Sequence, residues 1–173
     1  MISDGGKILD ASKAVELTTS FIPFDINRKN LITKICAALE RRAMAAENYE
    51  VSAGILAEIE RYMDGLSLDF SCDLVYNKLS VSSLIKSVGI EIADDGETIS
   101  ERFLNYMEFV REFEGNKLFI TVNMRSFIED GEAEAFMESA ARHKCDLLMF
   151  EGVSYPVLLH EKRLTVDCDL CCF

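Results

Sequence analysis

In this 173-residue sequence, the side chains able to act on a ligand are its spaced cations and its clustered acids. Arg28, Lys29 and Lys34 fall in the first turns of one amphipathic stretch, and Lys78 and Lys86 flank a shorter one. A row of such cations holds phosphate oxygens without reading base edges. A single cation is ordinarily a solvated side chain. Asp64, Asp69 and Asp73 share one turn-rich stretch, and Asp94, Asp95 and Glu97 another. Carboxylates so placed are the hard oxygen donors that calcium takes. Neither group has EF-hand spacing, so a solvated loop is the plainer reading.

Other chemistries lack their parts. Gly5-Gly6-Lys7 has no four-residue spacer of a phosphate loop, and no GxGxxG follows a strand, so nucleotide hydrolysis has no visible machinery. Cys168-Asp-Leu-Cys171 has CxxC spacing, but a zinc site needs a second ligand pair, and His143 and His160 stand without supporting spacing. Packing is the expected role of these thiols. No GxSxG elbow occurs, and two histidines give acid–base catalysis nothing specific, so the chain is not expected to be an enzyme.

The composition places limits on the partners. With 49% hydrophobic and 28% charged residues, 2 Pro and 9 Gly, the chain can bury one sizeable core. No apolar run is long enough to span a bilayer and the start lacks a signal-peptide layout, so a cytoplasmic address with six reduced cysteines is expected. A net charge of −12 argues against an indiscriminate nucleic-acid binder. The charge is uneven, however: residues 1–50 hold 7 basic and 7 acidic residues, the remainder 11 and 23. A locally basic face in the first part is therefore open.

Patterning supplies the elements that must carry these groups. Ala14–Phe21 alternates as a strand does. From Asn27, the expected N-cap, Leu31, Ile35, Ala38 and Leu39 recur at helical spacing, and a second helix from about Asn48 lines up Val51, Ile55, Ile59, Tyr62 and Met63 to end near Gly65. The pair reads as a helical hairpin. Leu66–Ser71 reads as extended, Ser80–Val88 as a short helix stopped by Gly89 with Leu84, Ile85 and Val88 inward, and Ile90–Ala93 as a brief strand. Thr98-Ile-Ser-Glu101 is a capping box that opens a helix with Phe103, Tyr106, Met107 and Val110 on one face. Lys117–Asn123 and Leu147–Phe150 read as strands buried on both faces, with a helix from Asp130 between them and a third strand at Leu164–Cys168. The order predicts an α/β fold with a mostly parallel sheet.

Leu66-Ser-Leu-Asp-Phe70, Leu84-Ile-Lys-Ser-Val-Gly-Ile-Glu-Ile92, Lys117–Asn123 and Leu147–Glu151, in that order and spacing, resemble the Csn-two family of type II-A CRISPR systems. The resemblance runs from about Met1 to Leu164 and rests on ordered segments, with no catalytic signature. It implies an α/β head like a nucleotide-binding fold without its hydrolytic loop, residues 1–22 and 96–173, and an inserted helical leg, residues 23–95. It further implies a homotetrameric ring around double-stranded DNA, dependence on calcium, and a part in acquiring new spacers beside integrase-type adaptation proteins and the type II effector nuclease. The family opens with a further strand and helix, so this chain is expected to begin after them.

Carried onto these residues, the resemblance makes Lys86, Lys78, Lys29 and Arg28 the DNA contacts, with Lys86 inside the matched Leu-Ile-Lys-Ser segment. Calcium would fall to Asp69 and Asp73, since Val75, Asn77 and Lys78 stand where the family often has acids. In such a ring, acids on the outside and a few symmetry-repeated lysines in the bore accommodate both the net charge and the duplex. An acidic α/β adaptor that binds another protein through its helical hairpin and touches no DNA is the alternative. A metal-dependent nuclease using the aspartates is a third.

Overall fold

Thr98 caps the longest helix of the sheet-bearing unit as its sequence requires. Its hydroxyl accepts from Glu101 N at 3.2 Å while the Glu101 carboxylate accepts from Thr98 N at 3.3 Å. The computed structural model describes residues 2–4, 7–159, 161–167 and 169–172, of which 2–4 and 7–9 by backbone alone. The expectations placed on Gly5, Gly6, His160 and Cys168 lie outside the described residues. The chain divides into two compact units: Met1–Ile26 with Asp94–Phe173, and Asn27–Ala93.

The first unit is α/β. A short antiparallel hairpin, β1 (Ile2–Asp4) and β2 (Lys7–Leu9), leads to one helical turn, α1 (Ala11–Ala14), and to β3 (Val15–Thr18). After the second unit come α5 (Ile99–Glu114), β4 (Leu118–Val122), α6 (Asp130–Arg142) and β5 (Asp146–Phe150). The strands form an all-parallel sheet in the order β3-β4-β5, with Leu17, Ile120 and Leu148 in register. Strands running the same way need crossover helices, and α6 is the one between β4 and β5.

The two sheet faces differ. Phe119, Thr121 and Thr18 are buried on the face that meets α5 and α6. There Phe103 is the hub of the core, with ring centroids 5.6 Å from Phe21, 5.5 Å from Phe24, 6.0 Å from Phe136 and 6.5 Å from Phe119. On the other face Leu17, Leu148 and Phe150 are 56%, 41% and 55% exposed. The expectation of strands covered on both sides is thus corrected: β4 and β5 alternate in burial, because the helices lie on one side.

Buried charge is paired. The Lys117 ammonium, 8% exposed, is held by Glu114 and by Glu16 at 3.2 Å, and Tyr106 donates to Glu16 at 2.7 Å. Arg125 is buried in the turn after β4. It bonds Asp130 at 2.5 Å and the Pro156 carbonyl at 3.1 Å, pairs with Glu161 at 3.5 Å and lies 4.6 Å from the centre of the Tyr155 ring. That guanidinium, together with the Gly152 N–H donating to Asn123 Oδ1 at 2.9 Å, ties the following stretch to the turn after β4. Gly96 is required where the chain re-enters this unit, since a Cβ there would come within 2.8 Å of the Arg102 backbone nitrogen.

The expected third strand at 164–168 reduces, among the described residues, to a single bridge between Val166 and Cys172. Asp167 folds the tail back instead, accepting from Asp169 N and Cys171 N. The expectation that cysteines are mostly packing holds for Cys145, whose thiol burial pushes upward in pKa. Cys72, Cys171 and Cys172 are exposed.

The second unit is helical: α2 (Lys29–Ala43), α3 (Ala46–Ser67) and α4 (Val81–Val88). α2 packs against α4 and against the start of α3. α3 continues through Gly65 to Ser67, so Leu66 and Ser67 are helical and not extended; a glycine inside a helix only weakens it. Val51, Ile55 and Tyr62, of the expected apolar stripe, are exposed, and α3 has no fully buried side chain. Ile90–Ala93, expected as a strand, has no strand partner.

Candidate nucleic-acid interface

Asn27 is the cap expected of α2, but its side chain is used elsewhere. Its Oδ1 accepts from Ile92 N at 2.7 Å and its Nδ2 donates to Ile92 O at 3.2 Å. The amide so satisfies both backbone groups of Ile92 as a strand neighbour would. It also ties the residues after α4 to the start of α2. Lys29, in the first turn of α2, and Lys86, in the last turn of α4, flank this tie in sequence.

The N-cap of α2 is Arg28, with no side-chain hydrogen bond to the first turn and no acid within it. The free amides of a helix N-terminus carry partial positive charge, and Arg28 and Lys29 add two cations where the dipole disfavours them. Lys29 and Lys34 are exposed and Arg28 is half-buried.

Reading the sequence by its helix ends assigns Arg41 and Arg42 only to the helix dipole. Both are exposed. Lys34 and Arg41, two helical turns apart, lie on one side of α2. A charge count confined to residues 28–43, which hold five cations and one acid, would have found the pair. Lys86 is exposed on α4 and Lys78 is exposed in the segment before it. Val88, expected inward beside Lys86, is exposed; Val81 is the buried residue of this helix. The Ser80–Ser83 capping box fixes the start of α4, and Gly89, at φ +71°, its end.

Charge divides sharply between the units. The α/β unit holds 10 Lys/Arg against 21 Asp/Glu, the helical unit 8 against 9. Nearly all of the net charge is therefore outside the unit that carries α2 and α4.

The aspartates do not assemble. Asp69 and Asp73 are both exposed, in the turn after α3 and the irregular segment beyond it. Asp94 is engaged by Arg102. Among the described residues no group of three or more His, Cys, Asp or Glu is gathered to hold a metal ion. Two exposed carboxylates do not fit calcium, which takes six to eight oxygens. His143 has a structural partner: its Nδ1 meets Glu108 and its carbonyl accepts from Arg111, beside a hollow of about 620 Å³ also lined by Glu112, Asn116 and Lys144. Among the described residues no helix is long and apolar enough to cross a membrane.

Residues 1–170 match the family described as CRISPR-associated protein (Cas_Csn2). The CRISPR-associated protein Csn2 of Enterococcus faecalis is 25% identical over 154 residues, covering 84% of this chain and 69% of that protein. The α/β fold and this match across almost the whole sequence agree, and the chain belongs to the Csn2 family of CRISPR-associated proteins.

Proposed function

We propose that this chain binds double-stranded DNA without reading its sequence, as one subunit of a homotetrameric ring that serves acquisition of new spacers in CRISPR immunity. The observation that carries the reading is α2. A helix start whose first turn holds Lys29 and no acid, followed by exposed Lys34, Arg41 and Arg42, offers phosphate oxygens a row of cations, with half-buried Arg28 at its N-cap. Lys86 and Lys78 extend the set. The helical unit is close to neutral overall, so phosphates are not repelled from it as they are from the acidic one.

The ring supplies what one chain lacks. A handful of cations neutralises few phosphates, and each symmetry copy adds the same set. The reading uses no calcium step, because Asp69 and Asp73 do not fit the ion. It gives the protein no catalytic role, leaving bond-making to the integrase-type proteins and the effector nuclease. The cytoplasm is where these partners would be met.

The test is retardation of a blunt linear duplex across a salt series, with native mass of the complex. Affinity should fall steeply with salt and ignore base composition. Replacing Lys29 and Lys34 by Glu should weaken every duplex alike. Unchanged affinity in an intact oligomer of that variant overturns α2 as the interface.

A further inference from the structure

We infer that Asn48 and Ser52 are positioning residues for the duplex contact, holding the end of α2 so that the Arg41 and Arg42 guanidinium groups stay free for phosphate; this rests on α2 being that contact. The strongest hold on the duplex then lies at the end of α2 and not at its start.

The last carbonyls of a helix have no partner within it, and an arginine in the last turn ordinarily takes such a carbonyl or pairs with an acid one turn away. The α/β unit follows that rule. Arg111, in the last turn of α5, donates to the carbonyl of His143, the residue that ends α6, and Arg142, in the last turn of α6, pairs with Glu138 at 3.2 Å.

The end of α2 departs from it. Asn48 Nδ2 donates to the Arg42 carbonyl at 2.9 Å and Ser52 Oγ to the Ala43 carbonyl at 2.9 Å, so two carbonyls that would draw an arginine back are taken by side chains of α3. No acid competes for the two cations. The positions three and four residues to either side of Arg41 and Arg42 hold only Ala, Leu and Met, and Glu40, adjacent in sequence, points elsewhere around the helix. Among the described residues neither guanidinium has a hydrogen bond or an ion pair, and both are exposed. An unengaged guanidinium suits phosphate, since its planar fork gives two parallel N–H donors to one phosphate group. Lys34, on the same side of α2 as Arg41, continues the row.

The experiment uses the full chain in its native oligomer. Asn48→Ala with Ser52→Ala should weaken every duplex alike and make the salt dependence shallower by about one unit for each arginine drawn back to the vacated carbonyls. The same pair placed on Arg41→Gln with Arg42→Gln should change nothing further, whereas a purely structural loss would show in both backgrounds. Ser52→Thr, which keeps the hydroxyl, should bind as the parent does. A second measurement needs no DNA. On isotope-labelled protein the Arg41 and Arg42 Nε–H groups should exchange rapidly with water in the parent and several-fold more slowly in the Asn48→Ala, Ser52→Ala protein, where each meets a carbonyl. Unchanged affinity, unchanged Nε–H exchange, or equal loss with and without the arginines each overturns the proposal. If Lys29 and Lys34 matter to the duplex and Arg41 and Arg42 do not, the proposal falls and α2 stands as the contact; if none of the four matters, both fall.

Discussion

Asn27 and Ile92, far apart in sequence, share two hydrogen bonds that close the helical unit, one at 2.7 Å and one at 3.2 Å. A single side chain thereby gives Ile92 the two backbone partners that a neighbouring strand would have supplied. The N-cap position of α2 falls instead to Arg28, whose side chain makes no cap bond.

Asn27→Ala should destabilise the helical unit by about 1–3 kcal/mol, since two part-buried backbone groups lose their partner. Asn27→Asp keeps the acceptor for Ile92 N and should cost less. Urea unfolding of the three proteins checks the order. Equal stability of Asn27→Ala and the parent would show that water replaces the amide.

The Lys117 pair with Glu16 and Glu114 gives an alkaline limit. Burial pulls the ammonium down, but the carboxylates outweigh it and hold its pKa above the ordinary 10.5. Its contribution is therefore complete below the ordinary value and is lost as pH rises through the folded one. Lys117→Met leaves two largely buried carboxylates without their cation and should cost about 3–5 kcal/mol at neutral pH. Thermal melts between neutral and strongly alkaline pH measure both effects.

Glu132 works in the opposite sense. Ser100 donates to it at 2.5 Å and lowers its pKa below the ordinary 4.5, burial opposing. That stability is present above the ordinary carboxylate value and falls away as pH drops through the folded one. Ser100→Ala should shrink the difference in melting temperature between neutral pH and pH 3. An unchanged difference would remove Ser100 as its source.

Lys86→Glu should weaken binding to all duplexes alike and make the salt dependence shallower by about one unit for each phosphate no longer neutralised. Arg41→Glu should do the same if α2 is read along its length. Retardation at several salt concentrations separates a missing phosphate interaction from a loss of fold, which would also change the native mass.

Calcium titrated into the isolated chain should bind no tighter than about millimolar, because among the described residues no third acid gathers with Asp69 and Asp73. Calorimetry on the parent and on Asp69→Asn with Asp73→Asn should give the same weak heats. A saturable micromolar site abolished in that variant would restore the aspartates as ligands.

Much of the fold is legible in the sequence because local signals agree with tertiary packing. Thr98–Glu101, Gly89 and the parallel order of Lys117–Asn123 and Leu147–Phe150 each carry a cap, a stop or a crossover requirement that chemistry enforces. The misreadings share a different cause. Val51, Val88 and Leu148 are apolar at the right spacing, and spacing cannot say whether a neighbouring layer exists to receive them. Asn27 is a good cap by type, but Ile92 competes for its amide across the unit. Arg41 and Arg42 are hidden because the helix dipole already accounts for cations in a last turn.

Arg125 has a consequence for the order in which the molecule opens. The stretch from Gly152 to Arg163 has no helix or strand among its described residues, so its amides gain little shelter from regular hydrogen bonding. Tyr155, Pro156 and Glu161 all meet the Arg125 guanidinium, and Arg163 ties the same three to one another. Tyr155, Pro156 and Glu161 should therefore open together, the amides of Tyr155 and Glu161 exchanging deuterium well before the sheet does, with Arg125 and Arg163 setting the opening free energy.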